Sequence, residues 1–190
     1  MRSAERPPLT GAHIESWSGR QFSGRVDEAM RIYVRAMKYP DHTGTQRAVS
    51  ARKHVSHDGF ACRAAVLDDG TFVGFGYGYT TKPGQWWHDL VHHALRPEAA
   101  GQWLHDAFEL SELHVLPEYH GIGIGRRLLT SLAGGIPHSV MLLSTPDQDT
   151  RAFRLYRDTG FIDLARNYLF PGDARPFAVL GVRLPLRDGR

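Results

Sequence analysis

Three alternating glycines are the feature of the chain that points most directly to chemistry. The run Gly121-Ile122-Gly123-Ile124-Gly125 is followed by Arg126-Arg127 and lies between an apolar stretch and a leucine-rich stretch. Glycine permits positive φ angles and lets a ligand approach the main chain closely. Free N–H groups and the dipole at the start of a helix attract phosphate. The sequence therefore predicts a phosphate site at residues 121–126.

Two common nucleotide motifs do not fit this turn. A P-loop has Lys followed by Ser or Thr directly after its last glycine, whereas Arg126 and Arg127 follow Gly125. The dinucleotide fingerprint needs a third glycine three places after the second, and Arg126 stands there. A glycine turn that only makes a tight corner is the remaining alternative to a ligand site.

The stretch around the turn resembles the cofactor motif of the GNAT acetyltransferases. In residues 113–129, LHVLPEYHGIGIGRRLL, a strand leads through a proline-containing loop to the family's pattern Arg/Gln-X-X-Gly-X-Gly/Ala. Gly123 and Gly125 take the two small positions, and His120 stands in place of Arg or Gln, with a donor beside the pyrophosphate. The resemblance implies acetyl-CoA (coenzyme A) as cofactor, its pantetheine arm on residues 113–115 and its diphosphate on residues 121–126.

A second stretch, DTRAFRLYRDTGF at residues 149–161, resembles the family's motif Asn-X-X-Ala-X-X-Leu-Tyr-X-X-X-Gly-Phe. Asp149 replaces the usual Asn; it can cap the following helix but cannot donate to the cofactor as an amide would. The cofactor-binding residues that the two motifs imply are Leu113, His114, Val115, His120, Gly121, Ile122, Gly123, Ile124, Gly125, Arg126, Asp149, Ala152 and Tyr156.

Acetyl transfer to an amine needs a neutral nucleophile, a polarised thioester carbonyl and a proton for the departing thiolate. By resemblance, Tyr156 occupies the position of the family's acid, with simple packing against the cofactor as the alternative. Glu109 lies where several related enzymes carry the base, and Glu112, His114 or water are its rivals. Strict alternation puts Glu109 on the opposite face from the other two, and a bulge would shift that parity. The resemblance also implies that a main-chain N–H near residues 113–115 polarises the carbonyl.

These residues need a scaffold of strands and helices, which the periodicity of apolar residues predicts. Helices are expected after Ser23-Gly24, around 45–57, after the glycine turn and at 149–158. Strands are expected at 12–18, 60–67, 71–80, 107–117, 139–146 and on both sides of Pro171-Gly172. With the two motifs, this order implies an α/β (α+β) GNAT fold. We expect a mixed central sheet of about six to seven strands, flanked by helices on both faces, in one domain spanning residues 1–190.

The segment at about 81–106 is rich in Trp and His and longer than an ordinary connection between strands. We interpret it as an insertion with short helices, and our hypothesis is that it forms one wall of the acceptor site. Trp86, Trp87 and Trp103 either cover the core or line the acceptor pocket. His88 and His92 have the spacing of two metal ligands, but no carboxylate or Cys completes a set, so no metal is expected.

Composition limits the class of protein. The net charge of +3 comes without a long basic run, which does not favour a nucleic-acid partner, and no apolar stretch is long enough to span a membrane. The single Cys62 suits a reducing compartment, so a cytoplasmic location is expected. The expected partner is an amine acceptor, either a small molecule or a peptide, and a homodimer is an open alternative to a monomer.

The sequence thus predicts an acyl-CoA-dependent N-acetyltransferase that moves an acetyl group to a primary amine by direct attack in a ternary complex. Cys62 lies far from the motif strand and has no Cys-His-Asp pattern, which does not favour a covalent intermediate. Two alternatives stay open: a non-catalytic acyl-CoA sensor, to which the substitutions His120 and Asp149 could belong, and an acyltransferase with another donor or acceptor.

Overall fold

The computed structural model describes residues 11–187. Seven strands lie in this part of the chain: β1 (His13–Trp17), β2 (Ala61–Val66), β3 (Phe72–Thr80), β4 (Ala107–Val115), β5 (Val140–Pro146), β6 (Ile162–Leu169) and β7 (Pro176–Arg183). The same part of the chain contains seven α-helices: α1 (Gly19–Gly24), α2 (Val26–Met37), α3 (Asp41–His54), α4 (Trp86–Ala94), α5 (Pro97–Trp103), α6 (Ile124–Ala133) and α7 (Arg151–Asp158).

The strands form one mixed sheet in the order β1-β2-β3-β4-β5-β7-β6. Strands β4 and β5 are parallel, with Glu109 opposite Leu142, whereas β1 with β2, β5 with β7 and β6 with β7 are antiparallel. A parallel pair needs a long crossover, and helix α6 supplies it between β4 and β5. The mixed central sheet of about six to seven strands, predicted from the sequence, is confirmed.

The chain divides into two compact units, and the first contains residues 11–56, 60–77 and 112–132 of the described part. Its core is aromatic: Phe22 is fully buried and its ring centroid lies 4.9 Å from that of Tyr77. Helix α2 buries Met30 on the same cluster and ends at Lys38, whose left-handed φ of 56° stops the helix. This unit contains the glycine turn and the end of β4 that precedes it.

The second unit contains residues 57–59, 78–111 and 133–187 of the described part. Its core is formed where Trp87 and Val91 of α4 pack with Leu142 of β5 and Val179 of β7. The unit includes α7 and therefore Tyr156. The prediction of a single domain over residues 1–190 stays a prediction.

Two helices differ from the prediction. Helix α1 was not predicted, although Ser18 and Gln21 form a capping box in which each side chain binds the main chain of the other residue. Helix α3 begins at Asp41 rather than near residue 45, because Pro40 fixes an extended main chain just before it. The remaining predicted helices and strands lie within a few residues of their predicted bounds. None of the helices in residues 11–187 is long and apolar enough to span a membrane.

Candidate active site

The glycine turn has the geometry of an anion site. Gly121 and Gly123 have φ angles of 82° and 87°, in the left-handed region that glycine tolerates. Both are exposed, and a Cβ added to Gly123 would meet nothing within 4 Å. Helix α6 begins directly afterwards at Ile124, so the first N–H groups of the helix open beside this space. The residues that the resemblance assigns to a diphosphate therefore fit such a group.

Helix α6, which follows the turn, is held in place by the buried apolar side chains on one of its faces. Ile124, Leu128 and Leu129 are each at most 2% exposed. Arg127 is turned away from the turn, because its guanidinium donates to the carbonyl of Ala12 over 2.8 Å. The start of α6 is thus held by packing, which keeps its N–H groups in place for a ligand.

His120 uses its ring inside the loop. Its Nε2 lies 2.7 Å from the carbonyl oxygen of Val115 and donates to it, since a carbonyl only accepts. The bond engages Nε2, one of the two ring nitrogens, inside the loop rather than beside the expected pyrophosphate. The bond links the two ends of the loop between Val115 and the glycine turn, where main-chain N–H groups are candidate donors to an anion.

The end of β4 lies close to β3 because β3 carries glycines. A Cβ on Gly74 would lie 3.0 Å from the carbonyl oxygen of His114, and a Cβ on Gly76 would lie 2.9 Å from Leu113. The motif FVGFGYGYT had been interpreted only as a strand, yet its alternating glycines are the signal for this close approach. Leu113 and His114 are half-buried and Val115 is buried.

Glu112 is a buried carboxylate of β4 with two side-chain partners. It is 4% exposed, pairs with the guanidinium of Arg47 from α3, and accepts from Nε2 of His114 at 2.5 Å. Burial alone would raise the pKa of the Glu112 carboxyl, but the Arg47 charge and the His114 hydrogen bond outweigh it and lower this pKa to about 2. A carboxylate with a lowered pKa accepts a proton less readily at neutral pH, which disfavours Glu112 as a base.

Glu109 is buried to the same extent in a different environment. It is 4% exposed, and the hydroxyl of Tyr79 on β3 donates to its Oε1 over 3.0 Å. The Tyr79 ring lies 4.6 Å from that of His57, centroid to centroid. A Cβ on Gly78 would lie 2.0 Å from the Glu109 carbonyl oxygen, so β3 also approaches β4 closely here. Tyr79 was missed in the sequence because nothing local links it to Glu109.

Tyr156 lies on α7 and is 6% exposed, with its ring centroid 5.4 Å from that of Phe161. The expectation that Asp149 caps this helix is wrong. Thr150 is the N-cap and its side chain accepts from the Phe153 N–H, because it is the residue directly before the first helical one. Asp149 is exposed and pairs with Arg154 at 2.8 Å. Ala152, in the first turn of α7, is half-buried.

The Trp and His segment contributes to the core of the second unit. Trp87 is 8% exposed and its Nε1 donates to Ser144 over 3.0 Å, and Trp103 packs against the same cluster. Trp86 instead is 62% exposed. His88 lies 2.9 Å from the carboxylate of Asp89. No group of three or more potential metal ligands occurs within residues 11–187.

Comparison with known proteins agrees with this geometry. The model of the family described as "Acetyltransferase (GNAT) family" matches residues 26–161. A GCN5-like protein acetyltransferase of Mycobacterium tuberculosis is 38% identical over 191 residues, which cover 85% of this chain and 93% of the relative.

Solved structures share the fold at low sequence identity. A GNAT-family acetyltransferase from Bacillus cereus superposes with a TM-score of 0.61 at 14% identity, covering 90% of this chain and 96% of the other. The yncA protein of Salmonella typhimurium, solved with its cofactor acetyl-CoA, gives 0.64 at 15% identity over 95% and 98% of the two chains.

The mixed sheet and the exposed glycine turn before α6 are the features that an acyl-CoA transferase needs to hold its donor. The family match over residues 26–161 and the 38% identical relative make the assignment specific. The chain belongs to the GNAT family of acetyltransferases, whose acetyl donor is acetyl-CoA.

Proposed function

We propose that this chain transfers an acetyl group from acetyl-CoA to a primary amine by direct attack in a ternary complex. The observation that carries the proposal is the glycine turn, with two exposed left-handed glycines at the start of α6. Membership of the GNAT family supports acetyl transfer as the reaction. The glycine turn offers main-chain N–H groups that suit the diphosphate of the donor.

The main chain is proposed to hold the donor. N–H groups of residues 121–126 bind the diphosphate, and the main chain of Leu113–Val115 binds the pantetheine arm. Ala152 and Asp149, at the start of α7, belong to the same proposed contact set. When bound, the donor supplies an acetyl thioester, and an N–H near Leu113 to Val115 polarises its carbonyl.

Two side chains are proposed to move protons. Glu109 accepts a proton from the amine, directly or through water, and the hydroxyl bond from Tyr79 holds its carboxylate in position. Tyr156 donates its phenolic proton to the departing sulfur. Glu109 is preferred to Glu112 because the latter is held by Arg47. His114 and water are the remaining rivals of Glu109 as proton acceptor.

A covalent acetyl-enzyme on cysteine is disfavoured by the state of the one thiol in the chain. Cys62 is fully buried on β2, and burial raises the pKa of its thiol to about 12. A thiol, rather than a thiolate, is a weak nucleophile, so a direct route to the amine is favoured.

A protein amine is the acceptor class that the relatives favour. The M. tuberculosis relative is named a protein acetyltransferase, and this chain is 38% identical to it.

The experiment is coenzyme A release from acetyl-CoA with a panel of peptides and small amines. Turnover with an amine supports the proposal, whereas tight cofactor binding without turnover on any amine would favour an acyl-CoA sensor. Tyr156→Phe tests the acid: kcat should fall far more than cofactor affinity. Tyr168→Phe, which removes a phenol bonded to the Leu90 carbonyl at 3.3 Å, is the matched control. Unchanged turnover of Tyr156→Phe would remove the acid assignment.

A further inference from the structure

Arg47 has donors that the fold does not use. Its Nε binds the buried carboxylate of Glu112, and this anchors the guanidinium against β4. Within the described part of the chain, its two terminal nitrogens make no hydrogen bond, and 36% of the side chain is exposed. An arginine carries five N–H donors in a planar fork, so four of them remain for another group. A planar fork of this kind suits a carboxylate.

The position of this guanidinium relates it to the acceptor. Glu112 directly precedes Leu113, the first residue of the segment proposed to hold the pantetheine arm, and Arg47 lies on Glu112. His114, at the centre of that segment, is held to Glu112 by its Nε2. Arg47 is therefore fixed beside the part of β4 where the acetyl end of the donor is expected.

Two tyrosine rings follow one another beside His114. The Tyr33 ring of α2 meets the His114 ring edge-on with centroids 5.0 Å apart, and Tyr39 meets Tyr33 edge-on at 5.5 Å. Ligand sites are commonly lined by aromatic side chains that contact the apolar part of the ligand. A few charged or polar side chains then bind its polar groups. In this cluster Arg47 is the cation and Glu112 is the carboxylate.

The charges of the cluster discriminate between acceptors. Glu112 is occupied by Arg47 and His114, so a polycation would find its carboxylate already paired and would meet the Arg47 charge. An acceptor with a carboxylate near its amine would instead satisfy the unused N–H groups of Arg47. Resting on the proposed function, we propose that Arg47 binds a carboxylate of the acceptor, so that the preferred substrates are amines that carry a carboxylate close to the reacting nitrogen.

The test uses matched acceptor pairs that differ only in a carboxylate. One pair is a lysine peptide with Glu two residues from the lysine and the same peptide with Gln. The other pair is a free amino acid and its amide. The wild-type protein should show at least a 10-fold higher kcat/KM for the carboxylate member, by the size of a charge-assisted hydrogen bond. Preference only in the first pair indicates a peptide acceptor, and preference only in the second indicates an amino acid.

Variants connect the preference to Arg47. Arg47→Lys keeps a cation for Glu112 but loses the outward fork, and it should reduce the preference to within about 2-fold. The double variant Arg47→Gln/Glu112→Gln removes both charges, so that no buried carboxylate is left without its cation. Its preference for the carboxylate-bearing acceptor should also vanish. The matched control is Arg52→Lys on the same helix, because Arg52 pairs with Asp27 at 2.8 Å, and it should leave the preference unchanged.

The outcomes separate this inference from the proposed function. Acetylation of both members of each pair at equal efficiency would overturn the carboxylate site and leave the acetyltransferase intact. A preference that survives in folded Arg47→Lys and in the double variant would also overturn it. If the protein binds acetyl-CoA but no acceptor leads to coenzyme A release, the proposed function itself is contradicted.

Discussion

Two glutamates three residues apart on β4 are buried equally and held differently. Glu109 and Glu112 are each 4% exposed. Glu109 accepts from the neutral hydroxyl of Tyr79, whereas Glu112 is paired with the charge of Arg47 and with His114. Burial by itself therefore says little about what a carboxylate does.

The charge of the partner makes the difference. A cation stabilises the ionised carboxylate and so weakens its capacity to take a proton: against the opposing effect of burial, the Arg47 charge lowers the pKa of Glu112. A neutral hydroxyl orients a carboxylate without such a charge. The ion pair with Arg47 is the reason why Glu109, rather than Glu112, is proposed as the proton acceptor.

The largest effect is expected from Glu109→Gln. The amide keeps an acceptor for the Tyr79 hydroxyl but cannot take a proton, so kcat/KM should fall by roughly 1000-fold, within the usual range for general-base catalysis. Initial rates with saturating acetyl-CoA measure this, and circular dichroism checks the fold. A loss of less than about 5-fold in folded protein would transfer the role to His114 or water.

The next effect concerns stability and should be specific to the other glutamate. Glu112→Leu leaves the Arg47 guanidinium without its buried partner, and the free energy of unfolding should fall by roughly 3 kcal/mol. Adding Arg47→Met should recover most of this loss. Urea unfolding of both variants measures it, and a double variant no more stable than Glu112→Leu would show that the pair is not the cause.

Acid pH should expose the same difference. The folded pKa of Glu112 is about 2, below its ordinary value of 4.5, so its contribution to stability is present above about pH 4.5 and is lost as pH falls towards 2. The midpoint of urea unfolding should therefore decrease over this range in the wild type. In a Glu112→Gln/Arg47→Gln variant the decrease should be smaller, and an identical pH dependence in both proteins would contradict the assignment.

The smallest effect is expected from Tyr79→Phe. Removal of the hydroxyl deletes one hydrogen bond to the Glu109 carboxylate and should cost about 2 kcal/mol of stability. The carboxylate itself remains, so activity should fall only several-fold. Thermal unfolding and initial rates measure the two effects, and a loss of activity equal to that of Glu109→Gln would mean that Tyr79 itself takes part in the reaction.

The parts of the site that a local pattern encodes could be predicted. Gly121 and Gly123 were identified from their spacing, and the φ angles explain why glycine is needed there. Tyr156 was placed on a helix by a motif of consecutive residues, and α7 confirms that placement. The helix α1 was missed, although the spacing of Ser18 and Gln21 was a readable capping signal.

The partners of the glutamates could not be predicted in the same way. Arg47 is 65 positions from Glu112 and Tyr79 is 30 from Glu109, so no local pattern connects them. Helix α3 is polar along most of its length, which hides the one arginine that faces a buried carboxylate. Thr150 rather than Asp149 is the N-cap because the helix begins at Arg151. Sequence patterns place a helix boundary only to within a residue or two.

The most direct measurement of the central claim is calorimetric titration of acetyl-CoA into the wild type, Gly123→Ala and Gly70→Ala. Both glycines have φ angles near 86° and open space around an added Cβ, but Gly70 lies in the turn between β2 and β3. The wild type and Gly70→Ala should bind equally, while Gly123→Ala should bind at least about 10-fold more weakly because the strained turn no longer presents its N–H groups. Absence of binding to the folded wild type, or equal binding by all three proteins, would contradict the account.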